Sequence, residues 1–152
     1  MNTKTLLLFL LSSISFDALA QSHEPASPEV RVYKRASCGC CKLWVEHLKK
    51  SRFSVQAREV RDLKSIRERV GVPVRLEACH TAEVGGYFIE GHVPAQDIKR
   101  LLRERPIAKG LAVPGMPVGS PGMKVPSGKV NPYEVLLIGK DGGASIFSRY
   151  GH

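Results

Sequence analysis

Three of the chain's four cysteines fall within four positions, in Ser37-Cys38-Gly39-Cys40-Cys41-Lys42. Cys38 and Cys41 form a C-x-x-C pair, which closes as a redox disulfide across a first helical turn, whereas Cys38 with Cys40, or Cys40 with Cys41, would close a small strained ring. Cys40 is therefore a spare sulfur. A dithiol oxidoreductase has no need of it, while a site for soft metal ions gains a ligand. In an oxidising compartment an idle thiol beside a disulfide also invites exchange and wrong pairing. The spacing points first to a metal site. A plain redox pair, with Cys38 as nucleophile and Cys41 as resolving thiol, is the alternative, and bland structural cysteines are the remaining reading.

The flanking residues say how such a turn is held. An apolar alternating run at residues 30–34 precedes it and helical periodicity at residues 42–50 follows, so a strand hands over to a helix at the cysteines. The helix N-terminus then points at the sulfurs, and Lys34, Arg35 and Lys42 add positive charge, so the thiols should ionise readily. Leu43, Trp44, His47 and Leu48 form the stripe this helix would bury. His47 lies about 9 Å along the axis from Cys41, too far to share an ion with it.

Beyond the helix, residues 53–60 alternate as a second strand. Asp62 is an N-cap for a second helix carrying Leu63, Ile66 and Val70, which Gly71 ends. Strand, helix, strand, helix opens a parallel sheet. Pro73, before a third strand, is a candidate for a cis peptide bond. Gly85-Gly86 then reads as a two-residue hairpin turn. In that register Val84 pairs with Tyr87 and Cys79 faces His92, with Cβ atoms roughly 5 Å apart. His80 would point to the opposite face, which makes His92 the better histidine co-ligand. Without a metal, both histidines read as hydrogen-bonded structural residues and Cys79 as a buried thiol.

Pro94 opens a third helix with Ile98, Leu101 and Leu102 on its core stripe, and Arg105-Pro106 stops it. Residues 106–132 are dense in proline and glycine and read as one long loop. It holds Met116 and Met123, whose thioethers are soft enough to assist Cu(I), or which simply pack the loop onto the sheet. Residues 133–138 and 144–150, joined by Asp141-Gly142-Gly143, form a second hairpin. There is no Gly-rich phosphate motif and no Ser/His/Asp arrangement for hydrolase chemistry.

The chain has 152 residues and opens with Lys4, the apolar run of residues 6–11 and Ala18-Leu19-Ala20. That pattern is a secretory signal cleaved after Ala20. The expected organisation is a signal peptide at 1–20, a flexible lead-in at 21–29 and one domain at 30–152, exported to a bacterial periplasm with no stable membrane insertion. The formal net charge is +9. Export and the dispersal of the Lys and Arg residues argue for a solvated basic surface and against nucleic acid as partner. Four cysteines in an exported chain would ordinarily suggest two disulfides, but three clustered in four positions staple almost nothing.

The residues also carry a resemblance. Tyr33-Lys34 before Cys38-Gly39-Cys40-Cys41, then Trp44-Val45, Ala78-Cys79-His80-Thr81, Gly86-Tyr87, Glu90-Gly91-His92-Val93-Pro94 and the loop from Pro114-Gly115-Met116-Pro117 to Gly122-Met123 follow one another across the mature chain. Together they resemble an exported bacterial thioredoxin-like metal-binding family, catalogued as a domain of unknown function, that includes the periplasmic copper-resistance protein CopG. The resemblance implies an α/β, thioredoxin-like fold: a central mixed sheet flanked by helices, with a long Pro/Gly/Met loop and an added C-terminal hairpin. It implies a polynuclear Cu(I)–thiolate cluster on Cys38, Cys40, Cys41 and Cys79, with four thiolate charges cancelled by four Cu(I) ions. It further implies a role in copper tolerance by storage, relay or redox conversion, with copper ions and other periplasmic copper-handling proteins as partners. Non-enzymatic metal binding is the favoured reading, and thiol-disulfide exchange by Cys38 and Cys41 the alternative. A Zn site of four thiolates is weaker, because adjacent Cys40 and Cys41 suit a tetrahedral ion poorly.

Overall fold

The structure is a computed structural model that describes residues 28–152. The expected signal peptide and most of the lead-in lie outside the described residues. In chain order the elements are β1 (Glu29–Lys34), α1 (Gly39–Lys50), β2 (Ser54–Glu59), α2 (Lys64–Val70), a short 3-10 turn (Val74–Leu76), β3 (His80–Val84), β4 (Tyr87–Glu90), α3 (Ala95–Glu104), β5 (Ala108–Ala112), β6 (Tyr133–Gly139) and β7 (Ala144–Tyr150).

The strands form one seven-stranded mixed sheet in the order β2-β1-β3-β4-β5-β6-β7. β1 with β2 and β4 with β5 run parallel, and the other neighbours run antiparallel. Each parallel pair is joined through a helix, α1 or α3, as a parallel connection requires. The Gly85-Gly86 turn sets the expected register: Val84 pairs with Tyr87, and the ladder runs out to Thr81 with Glu90.

Strand alternation sorts the core onto two faces. On one, Val30, Val32, Ala82, Val84, Ile89 and Leu111 pack against Trp44, Val45 and Leu48 of α1 and Ile98 and Leu101 of α3. On the other, Phe88, Ala112 and Ile138 pack with Val72 and Leu76 beside α2. The Trp44 indole N–H donates to the Val93 carbonyl at 2.8 Å, which ties α1 to the chain entering α3.

Two expectations need correction, on the α1 stripe and the long loop, and two more, on Asp62 and Pro73, are refined. The α1 stripe is rotated: Leu43 is 60% exposed, while Cys41, Trp44, Val45 and Leu48 are buried. Asp62 stands one residue before the N-cap position, Leu63, and its side chain still accepts from Lys64 N, the first N–H of α2, at 3.1 Å. No peptide bond among the described residues is cis, Pro73 included. The region read as one long loop contains a strand, β5, between β4 and β6, so that residues 106–107 and 113–132 lack helix and strand. Ala108-Lys109-Gly110-Leu111-Ala112 has no β-branched residue, so its strand depends on neighbours supplying both ladders. Gly110 is required there, because a Cβ would clash with the Phe88 carbonyl oxygen.

Candidate metal centre

The cysteine turn sits where β1 ends and α1 begins. Cys38 is the N-cap residue of α1, with its sulfur accepting from Cys41 N at 3.3 Å, and the first turn holds no acidic residue. The helix therefore presents its positive end to the sulfurs. Cys38 and Cys41 are joined by a disulfide, with Cα atoms 5.3 Å apart, and Cys40 and Cys79 are free. Lys34 contributes less positive charge than expected, since it is buried and its ammonium donates to Glu59 at 3.0 Å. Arg35 and Lys42 are exposed.

Cys79 reaches this turn from the segment before β3. Its sulfur lies 4.0 Å from that of Cys40, and Cys40 lies 3.6 Å from Cys38. All four sulfurs fall within 4.8 Å of one another, a grouping able to hold metal. Burial first, and the neighbouring Cys40 second, push the Cys79 thiol up to about 12. Burial thus works against ionisation at Cys79, which stands outside the turn whose thiols were expected to ionise readily.

Both histidines contact that thiol. Cys79 Sγ lies 3.0 Å from His92 Nε2 and 3.3 Å from His80 Nδ1. Alternation had separated them, but strand alternation governs only residues within the ladder, and Cys79 precedes β3 while His92 follows β4. His92 Nδ1 donates to the Pro121 carbonyl oxygen at 2.7 Å, which leaves Nε2 as a lone pair to accept the Cys79 S–H. Burial holds the His92 pKa below its ordinary value, so the ring is neutral. His80 is fully buried against Trp44, with ring centroids 4.3 Å apart, and burial foremost, then His92, lowers its pKa to about 3.

The donor chemistry fits a soft cation. His80 Nε2 is buried without a hydrogen-bond partner, an arrangement that protein interiors rarely tolerate. Thiols and neutral imidazoles side by side are the ligands that Cu(I) and Zn prefer. The loop covers this centre closely: Gly122 has φ +92°, and a Cβ there would meet the Cys40 carbonyl at 2.7 Å and His92 Nδ1 at 3.2 Å. Met123, the next residue, is half-buried. Met116 is 54% exposed and lines a separate cleft with Pro117, Tyr133 and Leu136. His47 does not join the centre; its Nε2 accepts from Ala95 N at 3.1 Å.

The sequence reading missed Arg67, Thr81 and Glu90, which form a buried polar cluster behind Cys79. Glu90 accepts from Arg67, Ala78 N and the Thr81 hydroxyl, at 2.6 to 3.1 Å. A signal existed for Glu90, a carboxylate closing the apolar run Tyr87-Phe88-Ile89. For Arg67 there was none.

Fold and centre together define a mixed α/β protein with a soft-donor cluster able to bind metal. A family model described as "Protein of unknown function, DUF411" matches residues 76–123. Two solved forms of a copper resistance protein copG each match at 43% identity and a TM-score of 0.77, over 82% of this chain and 98% of that one. No curated protein matches. The chain belongs to the DUF411 family of copG-like proteins.

Proposed function

We propose that this protein is a periplasmic copper-binding protein. It holds Cu(I) in a polynuclear thiolate cluster on Cys38, Cys40, Cys41 and Cys79, and serves copper tolerance by storage, relay or redox conversion. The observation that carries this reading is the convergence of the four sulfurs within 4.8 Å from two segments far apart in sequence. The likeness to copper resistance protein copG supports copper as the ion. The order β2-β1-β3-β4, with the cysteine turn between β1 and α1, supports a thioredoxin-like core. The leader pattern at residues 1–20 supports export.

Copper is here the cargo, and the residues act on it in stages. Reduction of the Cys38–Cys41 disulfide by an external dithiol, which leaves as its own disulfide, adds two more thiols to the free Cys40 and Cys79. Binding displaces the Cys79 proton, which Cu(I) achieves because it favours thiolate so strongly. Cys41 is fully buried, so part of the site is shielded from water. His92, oriented by Pro121, and His80 stand beside Cys79 as further donors.

Anaerobic titration of the reduced mature protein with Cu(I) tests the reading. Several ions per chain, with thiolate-to-copper absorption rising in proportion, are expected; a ratio near zero under excess copper overturns it. The second reading, thiol-disulfide exchange, draws on the closed Cys38–Cys41 pair at a helix N-terminus. Disulfide reductase activity that survives both Cys40→Ser and Cys79→Ser would favour it.

A further inference from the structure

Cys79 has no regular element to hold it. It lies between the Val74–Leu76 turn and β3, outside both. What fixes the preceding residue is one ion pair. Arg67 donates through Nε and Nη2 to Glu90 Oε1, at 3.1 and 2.8 Å, and through Nη2 to the Ala78 carbonyl at 2.5 Å. The same Glu90 oxygen accepts from Ala78 N at 2.7 Å. Both backbone polar groups of Ala78 are therefore captured by the two partners of a single salt bridge. Glu90 Oε2 takes the Thr81 hydroxyl at 2.6 Å, so the carboxylate also grips the far side of Cys79. Glu90 is fully buried and the Arg67 side chain is 10% exposed.

Such a pair is a poor device for stability alone. Removing two charges from water costs about as much as their attraction returns, and apolar side chains of similar volume would serve equally well. What the planar guanidinium and carboxylate supply is direction, since each bond has a fixed angle. Glu90 is two residues before His92, the ring that accepts from Cys79.

We propose that Arg67 and Glu90 are positioning residues that clamp the Ala78–Cys79 link and set the Cys79 sulfur opposite Cys40, an assignment to the copper centre that rests on the copper reading above. Neither touches the ion. They act through the backbone of Ala78, with Thr81 as a second hold.

Phenylarsine oxide provides a copper-free readout. It bridges two nearby thiols with loss of water, and in protein with the Cys38–Cys41 disulfide closed only Cys40 and Cys79 are free to react. Arg67→Lys keeps the charge but loses the fork, and Glu90→Gln keeps the shape but loses the charge. Arsenical capture and Cu(I) affinity, the latter by competition with a chelator, should fall about ten- to a hundredfold in each variant. Near-UV circular dichroism of Trp44 verifies the fold. Glu77→Gln removes only the outer contact to Arg67, at 3.1 Å, and should leave both readouts within about twofold of wild type. Where Arg67→Lys does not fold, Glu90→Gln decides. Folded variants that capture the arsenical as fast as wild type overturn the clamp. Wild type that captures the arsenical but takes no copper overturns the copper reading instead, and the arsenical result still decides whether Arg67 and Glu90 place Cys79.

Discussion

The two halves of the candidate centre are built on opposite principles. In the cysteine turn the hydrogen bonds of the backbone N–H groups are local: Cys38 N donates to Arg35 O (3.1 Å), Lys42 N to Cys38 O (3.3 Å) and Cys41 N to Cys38 Sγ (3.3 Å). On the other side the partners are distant. Ala78 is held from Arg67 and Glu90, Cys79 meets His92, His92 is oriented by Pro121, and Cys79 reaches Cys40 across 39 positions. Three sulfurs are thus within reach of one another wherever α1 forms, whereas the fourth joins them only when the whole sheet is assembled. On the copper reading proposed above, complete loading would be coupled to folding through a single residue.

The sharpest way to break this comparison is to remove one sulfur from each half. Cys40→Ser and Cys79→Ser should each abolish the full copper complement, measured as Cu(I) bound per chain under anaerobic conditions. The effect of Cys79→Ser should match that of Cys40→Ser, although one sulfur lies in the turn and the other enters from outside it. Full stoichiometry in the Cys79 variant would mean that the turn alone makes the cluster, and the distant half would lose its role.

A pair of glycines gives a smaller contrast. Gly122 belongs to the loop that closes over the turn; its φ of +92° and the Cys40 carbonyl 2.7 Å from a Cβ leave no room for a side chain. Gly122→Ala should cost about 1–3 kcal/mol in chemical denaturation. Gly39, within the turn, has nothing within 4 Å of a Cβ. Gly39→Ala should be neutral or stabilising by up to about 1 kcal/mol, because alanine is the better helix former. Equal losses in the two variants would contradict the division between a self-sufficient turn and a dependent cover.

The same division explains what could be read before the structure. The turn between strand and helix and the Val84–Tyr87 register follow from local signals, a C-x-x-C flanked by two periodicities and a Gly-Gly pair. The approach of Cys79 to the turn had no local signal; it was expected from the family resemblance, and the hairpin register gave only its approach to His92. β5 was invisible because Ala-Lys-Gly-Leu-Ala acquires its conformation from β4 and β6. Arg67 carries no local signal, and nothing in its neighbours marks it as the residue that holds Ala78. Leu43 was assigned to the core because helical spacing gives a stripe without its absolute rotation, which the packing of Trp44 and Val45 decides.

The smallest expected effect concerns the connection between the halves, the antiparallel pairing of β1 with β3. Glu83 on β3 faces Arg31 on β1, and it accepts from the Tyr33 hydroxyl at 3.1 Å and from Arg69 at 2.9 and 3.0 Å. Arg69 foremost, with Tyr33 assisting, holds its carboxyl below the ordinary range despite partial burial. A carboxyl whose folded pKa lies below its unfolded value stabilises above the unfolded pKa, and the contribution disappears as pH falls through the folded one. Because the Arg69 side chain is 54% exposed, the contribution is discounted for solvent screening to about 1 kcal/mol or less. Glu83→Gln should therefore lower the melting temperature by a few degrees at pH 7, and the gap to wild type should close as the pH drops below about 4. Copper stoichiometry should not change, since Glu83 touches neither half of the centre. A gap that persists undiminished in acid would show that Glu83 acts through packing, and that the link between turn and strand does not depend on its charge.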